Sequence, residues 1–140
     1  MSIQVAWDNE AKTVIRFDFA GKWNWYGYEM AVGEAFGMAE GAGQLVDFIF
    51  NMKDSAALAE GATFYFKRTL ELTPNSQSVL IIAHADATTE AAVALFSRIY
   101  KKLGERLLMA RTLDKARAML SGEPEPPAPK PSVIRLIAAK

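Results

Sequence analysis

The 140-residue chain contains no cysteine and only one histidine, His84. Thiol catalysis, disulfides, iron–sulfur clusters and cysteine-based zinc sites are therefore excluded, and a reducing compartment is compatible with the composition. A lone imidazole does not build a transition-metal site, and the carboxylates are not grouped at ligand spacing, so no metal and no other cofactor is expected. Long hydrophobic runs are missing as well: stretches such as Val79 to Ala83 fall far short of the roughly 18 apolar residues a membrane span requires. The opening Met1-Ser2-Ile3-Gln4 lacks the basic and apolar regions of a secretory signal, so the expected location is cytoplasmic. An excess of one charge is also absent, with 16 basic and 16 acidic residues. No arginine-rich run or basic–aromatic alternation marks a nucleic-acid partner.

What is present suits one soluble domain: 51% hydrophobic and 23% charged residues at a length that buries a conventional core. The zero net charge conceals an asymmetry. Residues 1–60 carry four basic and nine acidic groups, whereas residues 88–120 carry seven basic and three acidic. Such a dipolar surface favours head-to-tail self-association or an anionic partner, although solvated helix surfaces produce the same pattern.

Ile3 to Trp7 and Thr13 to Ala20 are rich in β-branched and aromatic residues, and the polar stretch from Asp8 to Lys12 supplies a hairpin turn. In the second run Ile15, Phe17 and Phe19 alternate with Val14, Arg16 and Asp18, the period of a half-buried strand. Asn24 is placed as an N-cap for a helix in which Trp25, Tyr28, Val32, Ala35, Phe36 and Ala39 recur, ending at Gly41-Ala42-Gly43. Leu45 to Met52 is apolar almost throughout, which predicts a strand covered on both faces. Ser55 is then expected to cap a second helix with Leu58, Ala62, Tyr65, Phe66, Thr69 and Leu72 as its stripe. Ser78 to Ala83 predicts another buried strand. Ala92, Leu95, Phe96, Ile99 and Leu103 predict a third helix, stopping at Gly104. Arg106 to Ala110 predicts a short strand, and Thr112 to Gly122 a capped final helix.

The expected fold is α/β, in the order β-β-α-β-α-β-α-β-α, with a mixed five-stranded sheet whose later strands run parallel through right-handed crossovers. Residues 1–121 form this domain. Five of the six prolines then fall between residues 124 and 131, the composition of an extended spacer in residues 122–131 reaching roughly 25 Å. The final segment, 132–140, contains Val133, Ile134, Leu136 and Ile137. It is expected to dock, as an added strand, on its own domain or a neighbour's.

Open α/β sheets place ligands beyond the carboxyl ends of their parallel strands, which directs attention to Asp54, Ser55, His84, Asp86, Arg111 and Thr112. Ser, His and Asp together suggest a hydrolase, but the sequence has no Gly-x-Ser-x-Gly elbow, and Ser55 and Asp86 have ready roles as helix caps. The glycines lie at helix-to-strand connections rather than in phosphate-cradling turns; Gly33 and Gly37 are expected where the first helix approaches a neighbour. Trp23, Trp25, Tyr26 and Tyr28 form the densest aromatic group. Trp25 and Tyr28 belong to the helix stripe, leaving Trp23 and Tyr26 to line a groove if they are exposed.

Residues 3–121, in this order of elements, resemble the STAS superfamily, which includes anti-sigma-factor antagonists and the cytoplasmic parts of sulfate transporters. Val46-Asp47-Phe48-Ile49-Phe50-Asn51-Met52-Lys53-Asp54 looks like the strand leading into that family's phosphorylation loop, and Thr112-Leu113-Asp114-Lys115-Ala116 looks like its last helix. Pro74-Asn75 and Leu95-Phe96-Ser97-Arg98-Ile99-Tyr100 are similar to an antagonist-like, uncharacterised branch. The resemblance implies a phospho-acceptor at the start of the second helix, where added negative charge would meet free amides. In one register Ala56 and Ala57 stand where the acceptor and its glycine belong; in the other, Glu60 and Gly61 occupy the hydroxyl positions.

The expectation is therefore a non-enzymatic regulatory or protein-interaction domain without the usual acceptor, binding a protein partner or itself through Asp54, Ser55, Glu60 and Gly61 and through the tail. An apolar small-molecule carrier or sensor is the alternative, and a Ser/His hydrolase comes third.

Overall fold

A computed structural model describes residues 2–122. Ile3–Trp7 (β1) and Val14–Gly21 (β2) form an antiparallel hairpin, with Ile3 opposite Phe19 and Trp7 opposite Ile15. The turn is built by Asn9, whose Oδ1 accepts from the amides of Thr13 and Val14 while its Nδ2 donates to Thr13 Oγ1. Then follow Trp25–Ala42 (α1), Asp47–Ser55 (β3), Ala62–Leu72 (α2), Leu80–Ala83 (β4), Ala87–Ile99 (α3), Lys101–Gly104 (α4), Leu107–Ala110 (β5) and Leu113–Ser121 (α5). The sheet order is β1-β2-β3-β4-β5, and every pair after the first is parallel. This is the expected mixed five-stranded α/β fold. The Pro-rich spacer beyond Gly122 and the segment with Val133, Ile134, Leu136 and Ile137 lie outside the described residues.

Strand alternation divides the core in two. Ile15, Phe17, Phe19, Phe48, Phe50, Leu80 and Ile82 point to the layer of α1, α2 and α3, where Tyr28, Ala35, Phe66 and Phe96 meet them. Val14, Ile49, Ile81 and Ala83 point the other way, onto Ala116 of α5. The continuous apolar run of β3 is thus explained by cover on both faces. Asn24 caps α1 by accepting from Gly27 N at 2.8 Å, Asp86 caps α3 through Thr89 N at 2.8 Å, and Thr112 caps α5 through Lys115 N at 3.1 Å.

Several expectations need correction. Strand β3 continues to Ser55, three residues past Met52, because Ala20 and Gly21 of β2 pair with Asp54 and Ser55. Ser55 therefore does not cap α2, which begins at Ala62 after Gly61 with no side-chain cap. Leu58 lies in the intervening loop and packs on the core from there. The third helix breaks at Tyr100, and Leu95 and Ile99 are exposed rather than buried. The glycine that permits a close approach is Gly104, where an added Cβ would lie 2.8 Å from Ser97 Cα. Gly33 and Gly37 face open space instead.

Candidate functional site

The carboxyl ends of β2, β3, β4 and β5 form one rim, and the two segments that meet there are the β2–α1 turn (22–24) and the β3–α2 loop (56–61). Gly21, at φ +62°, turns the chain out of β2, and its carbonyl accepts from Ala56 N at 2.9 Å. Two indoles then hold the loop at its ends. Trp23 Nε1 donates to Ser55 Oγ at 2.8 Å, and Trp25 Nε1 donates to the Glu60 carbonyl at 2.6 Å. The Trp23 and Trp25 rings meet edge to face at 4.9 Å, and Trp25 stacks on Tyr65 at 4.4 Å with the planes 8° apart. Gly61, at φ +96°, brings the chain into α2 in a conformation that side chains rarely adopt.

Asp54, Glu60 and Gly61 are exposed, while Ser55 is half-buried. The two carboxylates have no ion-pair partner among the described residues and stand free at the surface, with exposed Lys53 and Lys22 nearby.

Beside this loop, on the α1 and β1 side, is a cleft of about 610 Å³ lined by Ser2, Ile3, Lys22, Trp23, Tyr26 and Met30. Tyr26 is 76% and Met30 57% exposed. Of the two aromatics singled out from sequence, Tyr26 stands in solvent and Trp23 is half-buried, with its indole serving both the cleft and Ser55. The contribution of Ser2, Ile3 and Lys22 was not legible. It arises from hairpin pairing, which brings the start of β1 beside the end of β2; the alternation in both runs was the available signal.

Ser55, His84 and Asp86 also come together, lining a recess of about 120 Å³ with Lys53 and Thr89. Their hydrogen bonds lead elsewhere. Besides accepting from Trp23, Ser55 Oγ donates to the Ala56 carbonyl at 2.8 Å. His84 sits at φ +61°, and its Nε2 accepts from the Leu113 amide at 3.3 Å, joining β4 to the start of α5. Asp86 is occupied at the start of α3. No hydrogen bond links the three side chains to one another, whereas a nucleophilic relay requires serine to imidazole to carboxylate contacts. Arg111 lines a separate recess of about 260 Å³ with Glu90 and Met109, and Thr112 is used as the α5 cap.

Between the sheet and its helix layer the gaps are about 10 Å³ near Phe36 and Leu70 and essentially nil near Phe19 and Phe66, so the 610 Å³ surface cleft is the larger space for an apolar ligand. No group of three or more His, Cys, Asp or Glu side chains among the described residues is arranged to hold a metal ion, and no described helix is long and apolar enough to cross a membrane. Neither protein-family models nor curated proteins match this chain.

Proposed function

We propose that this chain is a non-enzymatic, protein-binding regulatory domain resembling the anti-sigma-factor antagonists, with its partner surface at Asp54 to Gly61 and the adjoining Lys22–Asn24 turn. The observation that carries this reading is the fastening of the loop by Trp23 at Ser55 and by Trp25 at Glu60. A loop fixed at both ends presents Asp54 and Glu60 without a large ordering cost on binding, and aromatic rings next to charge suit a protein interface. Ser55 is spent on the indole and a carbonyl, so the loop's effect on a partner follows from its shape and its exposed carboxylates rather than from a conventional phospho-switch.

A photo-crosslinking residue at Glu60, introduced in the native host, tests the reading. The expected outcome is a reproducible covalent adduct with one protein that is lost in the Trp25→Ala variant. Turnover in an esterase and phosphatase panel that disappears in both Ser55→Ala and His84→Ala would overturn it.

A second reading is favoured by the cleft itself, whose walls of Ile3, Trp23, Tyr26 and Met30 suit a small apolar ligand. Native mass spectrometry decides this alternative. A copurified small molecule retained by the parent and lost in Met30→Glu would establish the carrier role.

A further inference from the structure

Helix α1 is apolar on two opposite sides. Tyr28, Ala31, Val32, Ala35 and Ala39 are buried against the sheet. At about 100° per residue, Tyr26, Met30, Gly33, Gly37 and Gly41 gather within an arc of about 80° diametrically opposed to them. All five are exposed, and an added Cβ at any of the three glycines would meet nothing within 4 Å. Glycine weakens a helix interior, and within residues 2–122 no close approach explains these three. The stripe is bordered by exposed Glu34 and Glu40, and α1 contains no basic residue.

Charge identifies the occupant. After Glu125 the chain carries Lys130, Arg135 and Lys140 and no acidic residue, with Val133, Ile134, Leu136 and Ile137 between them. An apolar, basic segment complements an apolar, acid-bordered face, whereas α1 packed on a second α1 would bring Glu34 and Glu40 of both copies together. The route is short. Arg117 of α5 donates to Asp8 at 2.8 and 2.9 Å, and Gln44, just past α1, donates to the carbonyls of Ala11 and Lys12 at 2.7 and 3.0 Å. The hairpin turn between Asp8 and Thr13 thus lies between α5 and the glycine-bearing end of α1. The spacer reaches roughly 25 Å, and the stripe from Gly41 to Tyr26 is about 22 Å long.

We propose that residues 132–140 seat on the outer face of α1 of the same chain, with the apolar side chains against Met30, Gly33, Gly37 and Gly41 and the basic ones beside Glu34 and Glu40. Absence of native cysteine makes the test direct in the full chain. A Gly37→Cys, Ile137→Cys double variant should close an intrachain disulfide about tenfold faster than an Ala6→Cys, Ile137→Cys control on the opposite sheet face. Adding Glu34→Lys and Glu40→Lys at low salt should slow closure roughly threefold. Equal rates in the two pairs, or disulfides only between chains, would overturn the proposal.

The unsubstituted chain gives a second reading. Without cover, Met30, 57% exposed, should oxidise ahead of Met119, 43%, and Met109, 39%; with the tail seated it should oxidise after both. Fastest oxidation at Met30 overturns the assignment even if a cysteine variant fails to fold.

Discussion

The indole of Trp25 and the main chain of Glu60 are joined by a 2.6 Å hydrogen bond between residues 35 positions apart, so the first residue of α1 fixes the loop that leads into α2. Replacing Trp25 with Phe keeps an aromatic ring against Tyr65 and removes the donor. The expected result is a loss of about 1 kcal/mol in unfolding free energy. Amide exchange should accelerate in residues 57–61 while the sheet amides remain protected. Denaturant titration and residue-resolved hydrogen exchange measure the two effects.

Asp8 and Asp47 should give opposite pH signatures. Asp8, with a side chain only 4% exposed, receives Arg16 and Arg117. Burial pushes its carboxyl up, but the hydrogen bonds and charges of Arg117 and Arg16 together outweigh that and hold it below the ordinary carboxylate range. Its stabilising contribution is therefore present above the unfolded-state value and lost as pH falls through the lower folded value. Asp47 is pushed up by burial, against a smaller downward pull from the Val79 amide it accepts. Its ionised form is relatively disfavoured in the fold, a cost that grows as pH rises through that higher value. Melting curves across the acid range should show Asp8→Asn flattening the acid-side loss, and Asp47→Asn gaining stability relative to the parent as pH rises. The reverse order would contradict these environments.

His84 has the left-handed backbone at φ +61° and an acceptor for the Leu113 amide. Asn tolerates that backbone and supplies an oxygen, so His84→Asn should remain within about 1 kcal/mol of the parent. Val offers neither, and His84→Val should cost about 2 kcal/mol or more. Chemical denaturation of both variants checks the pair.

The fold was legible where pattern has one physical meaning. Period-two alternation in β2, continuous apolar character in β3 and β4, and the caps Asn24, Asp86 and Thr112 all specify local structure without long-range information. The end of β3 was not legible, because Lys53, Asp54 and Ser55 are polar and join the strand only through pairing with β2. The same tertiary contact turned Ser55 from a helix cap into an acceptor for Trp23. Gly104 was legible as a helix stop but not as the point of closest approach to Ser97, since α4 folds back on α3 only once Tyr100 interrupts the helix. At the rim, strand order brought Ser55, His84 and Asp86 to one recess and left Arg111 in another; the directions of their hydrogen bonds depend on atoms that spacing does not specify.

Arg106 provides a final test, because it lies just before β5 and makes three contacts through one planar fork. Its Nε donates to the Ser78 carbonyl at 2.8 Å, one terminal nitrogen to the Leu70 carbonyl at 3.1 Å, and the other to Thr73 Oγ1 at 2.6 Å. It thereby satisfies the end of α2 and joins it to the chain entering β4, with no carboxylate taking part. Burial lowers the guanidinium pKa, yet the three acceptors reward a charged donor. A lysine has a single nitrogen and does not reproduce the fork. Arg106→Lys should therefore lower stability by about 2 kcal/mol, or roughly 6 °C in Tm, while Thr73→Val removes one acceptor and costs about 1 kcal/mol. Because both changes break the same contact, the double variant should lose less than the sum of the two. Additive losses would show that the fork does not act as a unit, and that α2 and the β4–β5 edge are held together by their apolar contacts instead.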